Sequence, residues 1–131
     1  MNDDLNRPAP ATDDTDPLVC ELLVRNLARS LRFYIVLGFV VERQDDGFAV
    51  LVREDRRLFL ATATLPPATT MRMNLRLLVP DVDSWWTRLQ AIGCVVHQPI
   101  ADRPYGLRDF TVLDPDGFGV RLATPLVGRF A

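Results

Sequence analysis

The chain has no lysine; all fifteen of its basic residues are arginine. Without an ε-amine it cannot form a Schiff base or hold pyridoxal covalently, so that chemistry is excluded. Cysteine is scarce. Cys20 and Cys94 lie far apart, in no C-x-x-C or Cys/His cluster, so neither a disulfide framework nor a zinc site is expected. Both read as free thiols packed as small hydrophobes. Histidine occurs once, as His97; a catalytic role needs a positioned partner, and the sequence names none. No apolar run approaches the roughly 20 residues that span a bilayer. The opening MNDDLNRPAPATDDTDP is acidic and proline-rich, unlike a secretory signal. A cytoplasmic protein with no membrane partner is expected.

Charge is unevenly placed. Residues 1–17 carry five aspartates against one arginine, a net of −4, which leaves +2 on the remainder of a chain whose total is −2. The first 17 residues hold too few apolar groups to offset their ordering entropy and read as a disordered acidic tail. The charge left on the rest is too small and too dispersed for a nucleic-acid partner. With 131 residues, 48% of them hydrophobic, the chain can build one domain or two small modules.

An internal repeat decides between them. LLVRNLARSLRFYIVLGFVV (22–41) aligns without a gap on LLVPDVDSWWTRLQAIGCVV (77–96), and LFLAT (58–62) matches VRLAT (120–124). Each copy opens with alternation, through Leu18, Cys20, Leu22 and Val24 or Met73, Leu75, Leu77 and Val79, which is the period of a strand. Asn26 and Asp81 then stand as helix N-caps, with Gly38 and Gly93 at the helix ends. Between them Leu27, Leu31, Tyr34 and Leu37, and likewise Val82, Trp86, Leu89 and Ile92, recur at helical spacing. Three strands follow in each copy, about 39–44, 48–53 and 57–63, then 94–99, 107–113 and 118–124. DDG (45–47) and DPDG (114–117) supply turns. The predicted fold is α+β, a βαβββ module used twice. The predicted layout is a tail 1–17, modules 18–63 and 71–125, a linker 64–70 and a C-terminal tail 126–131.

These stretches, with DDGFAVLVREDRRLFLATA and RPYGLRDFTVLDPDGFGVRL, resemble the vicinal oxygen chelate superfamily: glyoxalase I, extradiol dioxygenases and bleomycin-resistance proteins. The resemblance covers roughly residues 18–125 and is strongest to the bleomycin-resistance proteins. It implies paired βαβββ modules whose curved mixed sheets form a cleft. In metal-using members, the first and last strand of each module supply His, Gln or Glu ligands. The matching positions are Val19, Phe59, Asn74 and Arg121. Valine and phenylalanine cannot ligate, arginine offers no lone pair, and one amide falls short of the three or four donors a divalent ion takes. No metal and no other cofactor is therefore expected.

The remaining polar residues of the same parity are Glu21, Arg72, Asn74, Arg76 and Arg121. One reading is a solvated sheet face with internal ion pairs, since antiparallel sheets often keep one wet face. The other is a small-molecule pocket with Val19, Leu23, Phe59 and Leu78 as apolar wall, a few polar groups for orientation, and Tyr105 closing one side. The expected ligand-binding set is Val19, Glu21, Phe59, Asn74, Arg76, Tyr105 and Arg121, with no catalytic residue. Glu21 is the one carboxylate assigned to this face, against three arginines. The surplus predicts an aromatic ligand with an acidic or acceptor group rather than a polycation. The function expected is metal-independent sequestration, as bleomycin-resistance proteins perform; the alternative is a glyoxalase- or dioxygenase-like enzyme with a non-standard or absent metal site. The paired carboxylates Asp45/Asp46, Glu54/Asp55 and Asp114/Asp116 read as turn residues. Trp86 reads as core and Trp85 as its flank. A homodimer is expected, because sheet edges are normally covered.

Overall fold

The computed structural model describes residues 18–65 and 73–126, and these fall into two compact units, one per repeat. The first holds β1 (Cys20–Val24), α1 (Leu27–Val36), β2 (Val40–Asp45), β3 (Phe48–Arg53) and β4 (Arg56–Thr62). The second holds β5 (Asn74–Leu78), α2 (Val82–Ala91), β6 (Val95–Asp102), β7 (Leu107–Leu113) and β8 (Gly119–Pro125). Their sheets are ordered β1-β4-β3-β2 and β5-β8-β7-β6. In each, the first strand runs parallel to the last and the others are antiparallel. This is the α+β arrangement of two βαβββ modules that the repeat predicts. The acidic tail, most of the linker, Arg72 and residues 127–131 lie outside the described residues.

Local chemistry explains the helices. The Asn26 side chain accepts the Arg29 N–H at 2.9 Å, and the Asp81 carboxylate accepts the Ser84 N–H at 3.3 Å, each satisfying a donor that the first helical turn leaves free. Both helices stop where Gly38 and Gly93 take φ of 100° and 83°, a conformation open to glycine at little cost. In the first module Arg53 Nε reaches across to the Leu37 carbonyl at 3.0 Å and closes the helix end.

One face of each sheet packs under its helix. In module 1 the buried set is Leu22, Val24, Ala49, Leu51, Leu58 and Leu60 with Leu31, Tyr34 and Leu37 of the helix side; Tyr34 meets Phe39 edge-on at 5.7 Å. In module 2 it is Phe110, Val112, Val120 and Leu122 with Val82 and Leu89. Each leucine, valine or phenylalanine among them contributes about 1.5–3 kcal/mol on burial. The Thr124 hydroxyl ties the start of α2 to the sheet, donating to the Val79 carbonyl at 2.7 Å and accepting the Val82 N–H at 3.0 Å.

Three details differ from the expected pattern. Ile92 is 55% exposed: as the C-cap of α2 it lies past the last turn that faces the sheet. Trp86 is part-exposed rather than wholly core, resting on Phe110 with ring centroids 5.0 Å apart. The sixth strand runs on to Asp102 with two register shifts, and its first five residues, Val95 to Pro99, are all exposed.

Candidate functional site

The face of module 2 away from its helix carries the polar residues. Strand pairing puts Arg76 beside Arg121, Asn74 beside Gly119 and Leu78 beside Ala123. It also puts Thr111 beside Arg121 and Asp109 beside Ala123. Thus Asn74, Arg76, Leu78, Asp109, Thr111 and Arg121 share one face. Arg76 and Asn74 are exposed, and Leu78 is 48% exposed.

Asp109 is the centre of this face, and the sequence reading missed it. The carboxylate is fully buried. Its Oδ1 accepts Arg103 Nε at 2.8 Å, and its Oδ2 accepts the Tyr105 hydroxyl at 2.6 Å and Arg121 Nη1 at 3.4 Å. Arg121 Nη1 also lies 3.4 Å from the Tyr105 oxygen, with the guanidinium carbon 5.8 Å from the Tyr105 ring centre. The Arg121 side chain stays 26% exposed, while its Nε–H is buried and has no acceptor among the described residues. Burial and the hydrogen bond to Asp109 push the Tyr105 phenol above the ordinary tyrosine range, against a smaller pull from Arg121. Glu21 is therefore not the one carboxylate of this parity: Asp109 is a second, and it shares a face with Arg121. The charges described there are Arg76, Arg103 and Arg121 against Asp109, still a positive surplus.

A signal for Asp109 was present. In LRDFTVL (107–113) it has the parity of Thr111, and the hairpin closed at 114–117 brings that parity beside Arg121. The aspartates of the turn itself do act locally: Asp114 accepts the N–H groups of Asp116 and Phe118 at 2.9 and 2.8 Å.

The other predicted residues lie in module 1. Glu21 pairs with Phe59 across β1 and β4, Leu23 is 50% exposed on the same face, and Val19 precedes β1. Phe59 is buried in an edge-on pair with Phe48, centroids 5.3 Å apart. Arg43 stands 5.5 Å from the Phe48 ring centre, and Arg57 pairs with Glu42 at 3.0 Å. Glu21 and Arg76, repeat equivalents, each lack an ion pair among the described residues.

The residues do not fit a metal. Of the four positions to which the resemblance assigns ligands, Phe59 is committed to an aromatic pair and Arg121 is a cation held on Asp109. No three His, Cys, Asp or Glu side chains gather among the described residues. Cys20 and Cys94 are free, and burial pushes both thiols up, toward the protonated form that binds metal poorly. His97 is exposed on β6. Trp85 stacks on Arg88, 4.5 Å from ring centre to guanidinium carbon. No described helix is long and apolar enough to cross a membrane.

Comparison with known proteins agrees with the topology. A glyoxalase/bleomycin resistance protein/dioxygenase from Nocardioides superposes with a TM-score of 0.71 at 22% identity, over 86% of this chain and 85% of that one. A bleomycin resistance determinant encoded on the transposon Tn5 gives 0.69 at 23% identity, over 85% and 98%. TioX from Micromonospora sp. ML1 gives 0.66 at 25% identity, over 83% and 98%. No curated protein matches the sequence. Residues 17–122 match the profile of one family, and with the doubled βαβββ topology this establishes that the chain belongs to the Glyoxalase/Bleomycin resistance protein/Dioxygenase superfamily.

Proposed function

We propose that this protein is a metal-independent binding protein that sequesters an aromatic small molecule carrying a carboxylate, phenolate or similar acceptor, and that it works as a cytoplasmic homodimer. The observation that carries the reading is Arg121. Its guanidinium is anchored on a buried carboxylate, its side chain remains part-exposed, its buried Nε–H has no acceptor among the described residues, and a second arginine stands beside it on β5. A charge-assisted hydrogen bond from the exposed part of that guanidinium to an incoming acceptor contributes about 1.5–3 kcal/mol. Leu78 and the 51% exposed Tyr105 ring supply apolar area for an aromatic body. Two arginines side by side disfavour a polycation. Sequestration without turnover is the mode that the likeness to bleomycin-resistance proteins supports, and the misfit of the metal positions favours it over the superfamily's metal-dependent enzymes.

Calorimetry with a panel of acidic aromatics and cationic glycopeptides tests the sign of the site. Acidic aromatics bind, and Arg121→Ala weakens them by roughly 10- to 100-fold, the equivalent of one charge-assisted hydrogen bond. Tight binding of the glycopeptides with none of the acids reverses the reading. Light scattering checks the dimer: a monomer at micromolar concentration removes that part of the proposal.

A further inference from the structure

We infer that Asp109 is the positioning residue of this face, holding Arg121 and the turn that bears Tyr105 in the arrangement an anionic ligand meets. The inference rests on the ligand reading above. Asp109 joins three parts of module 2. Through Oδ1 it holds Arg103. That arginine also donates to the carbonyls of Pro99 and Asp109, so it serves as the counter-charge of Asp109 and not as a contact for a ligand. Through Oδ2 it holds both the Tyr105 hydroxyl and Arg121 Nη1. The turn at 103–106 closes on itself, with Arg103 N–H on the Leu107 carbonyl at 2.7 Å and Gly106 N–H on the Arg103 carbonyl at 3.1 Å. Asp109 bonds both Tyr105 and Arg121 through one oxygen, and so fixes the direct contact that the Tyr105 hydroxyl makes with Arg121 Nη1 at 3.4 Å. With Nη1 turned to the carboxylate, the roll of the guanidinium is set, and with it the direction of the part that stays exposed.

This role has a sign that charge alone does not. Removing a carboxylate beside an anion-binding arginine strengthens the anion if the local field decides, because a like charge has gone. It weakens the anion if orientation decides, because Arg121 and Tyr105 lose their shared anchor. The structure favours orientation: Asp109 is already matched by Arg103 at 2.8 Å, so its field at the ligand position is largely cancelled, whereas no other carboxylate among the described residues bonds Tyr105 or Arg121.

The test uses the full chain with 2-naphthoate as the anionic probe and 2-naphthamide as the neutral one, measured by calorimetry and by the Arg Nε–Hε resonances in nitrogen-15 spectra. Wild type binds 2-naphthoate. Asp109→Asn weakens it roughly tenfold, one anchoring interaction's worth, leaves 2-naphthamide much less affected, and broadens the Arg121 Nε–Hε signal. Should Asp109→Asn fail to fold, Tyr105→Phe, at an exposed position, carries the test: a severalfold loss of 2-naphthoate at unchanged melting temperature supports positioning, and unchanged affinity overturns it. Equal or tighter 2-naphthoate binding by Asp109→Asn, with Arg121→Ala still weak, overturns the inference and leaves the ligand reading intact. Wild type that binds no 2-naphthoate overturns both.

Discussion

At equivalent points of two sheets built to one plan, module 1 sets Phe48 against Phe59 and module 2 sets Asp109 against Arg121. The register makes the equivalence firm. Phe48 pairs with Ala61 and Val50 with Phe59 on one side; Asp109 pairs with Ala123 and Thr111 with Arg121 on the other. The backbone is the same and the diagonal pair differs in kind. An aromatic pair adds about 0.5–1.5 kcal/mol beyond its burial. A buried ion pair gives back in desolvation much of what its attraction gains. The polar pair in module 2 is therefore poorly explained by stability, whereas the aromatic pair in module 1 is well explained by it. One copy keeps the sheet face as packing; the other holds polar groups where packing would have served.

The largest test breaks the polar pair. Asp109→Ala costs about 3 kcal/mol in urea unfolding, the low end for breaking a buried pair, because it takes the shared buried carboxylate from two part-buried arginines. Replacing both members to copy module 1, Asp109→Phe with Arg121→Phe, is less damaging than the single change by about 1–2 kcal/mol, since Arg121 no longer lacks its carboxylate. A double variant as unstable as the single would show that the two sheets are not interchangeable at this point.

Helix starts sharpen the comparison by what they share. Asn26→Ala lowers stability by about 1 kcal/mol, and Asp81→Ala lowers it in the same way at neutral pH. The two diverge in acid. Hydrogen bonds from Ser84 hold the Asp81 carboxyl below its ordinary value, so its stabilisation is present above the unfolded carboxylate pKa and is lost as pH falls through the depressed folded one. The Asp81→Ala penalty shrinks there in chemical denaturation curves, and the Asn26→Ala penalty does not.

A smaller effect separates the hairpins. The turn between β3 and β4 places Glu54 and Asp55 at φ of 48° and 65°, where side chains are disfavoured. The corresponding turn of module 2 uses Gly117, at φ of 87°. Asp55→Gly gains about 0.5–1 kcal/mol by relieving that conformation, read as a higher melting temperature; no gain would mean the strain is compensated within the turn. The smallest expected change is spectroscopic. Tyr105 ionises above the usual tyrosine range, and Asp109→Asn lowers its midpoint in an ultraviolet titration by removing the carboxylate that holds its proton. The raised folded pKa means that the Tyr105 contribution to stability is fully present below the unfolded pKa and fades as pH rises through the folded one.

Much of this was legible in the chain. Alternation, caps and glycine stops located every described strand and helix, because each is a local signal and the repeat states it twice. Arg121 stood out because an arginine interrupts an apolar strand. Asp109 did not, although it interrupts one too: it sits in a stretch that also offers Arg108, Thr111 and the turn aspartates, and only strand register tells which of these lies beside Arg121. The partner of a buried charge is a matter of pairing, and pairing is a non-local property. Ile92 was misassigned for the opposite reason, since helical periodicity continues in sequence one step after the helix has left the sheet.

The sixth strand has a consequence for how copies of this chain can grow together. Its exposed opening residues include Pro99, which has no N–H to offer, and its ladder with β7 slips twice. An incoming strand would meet an interrupted row of donors on a backbone that changes pitch, and could extend the sheet by only a few residues. Module 2 thus carries a natural chain terminator on its β6 side. Strand-to-strand association along that edge of module 2 is disfavoured by the backbone itself, whatever charge the neighbouring side chains carry.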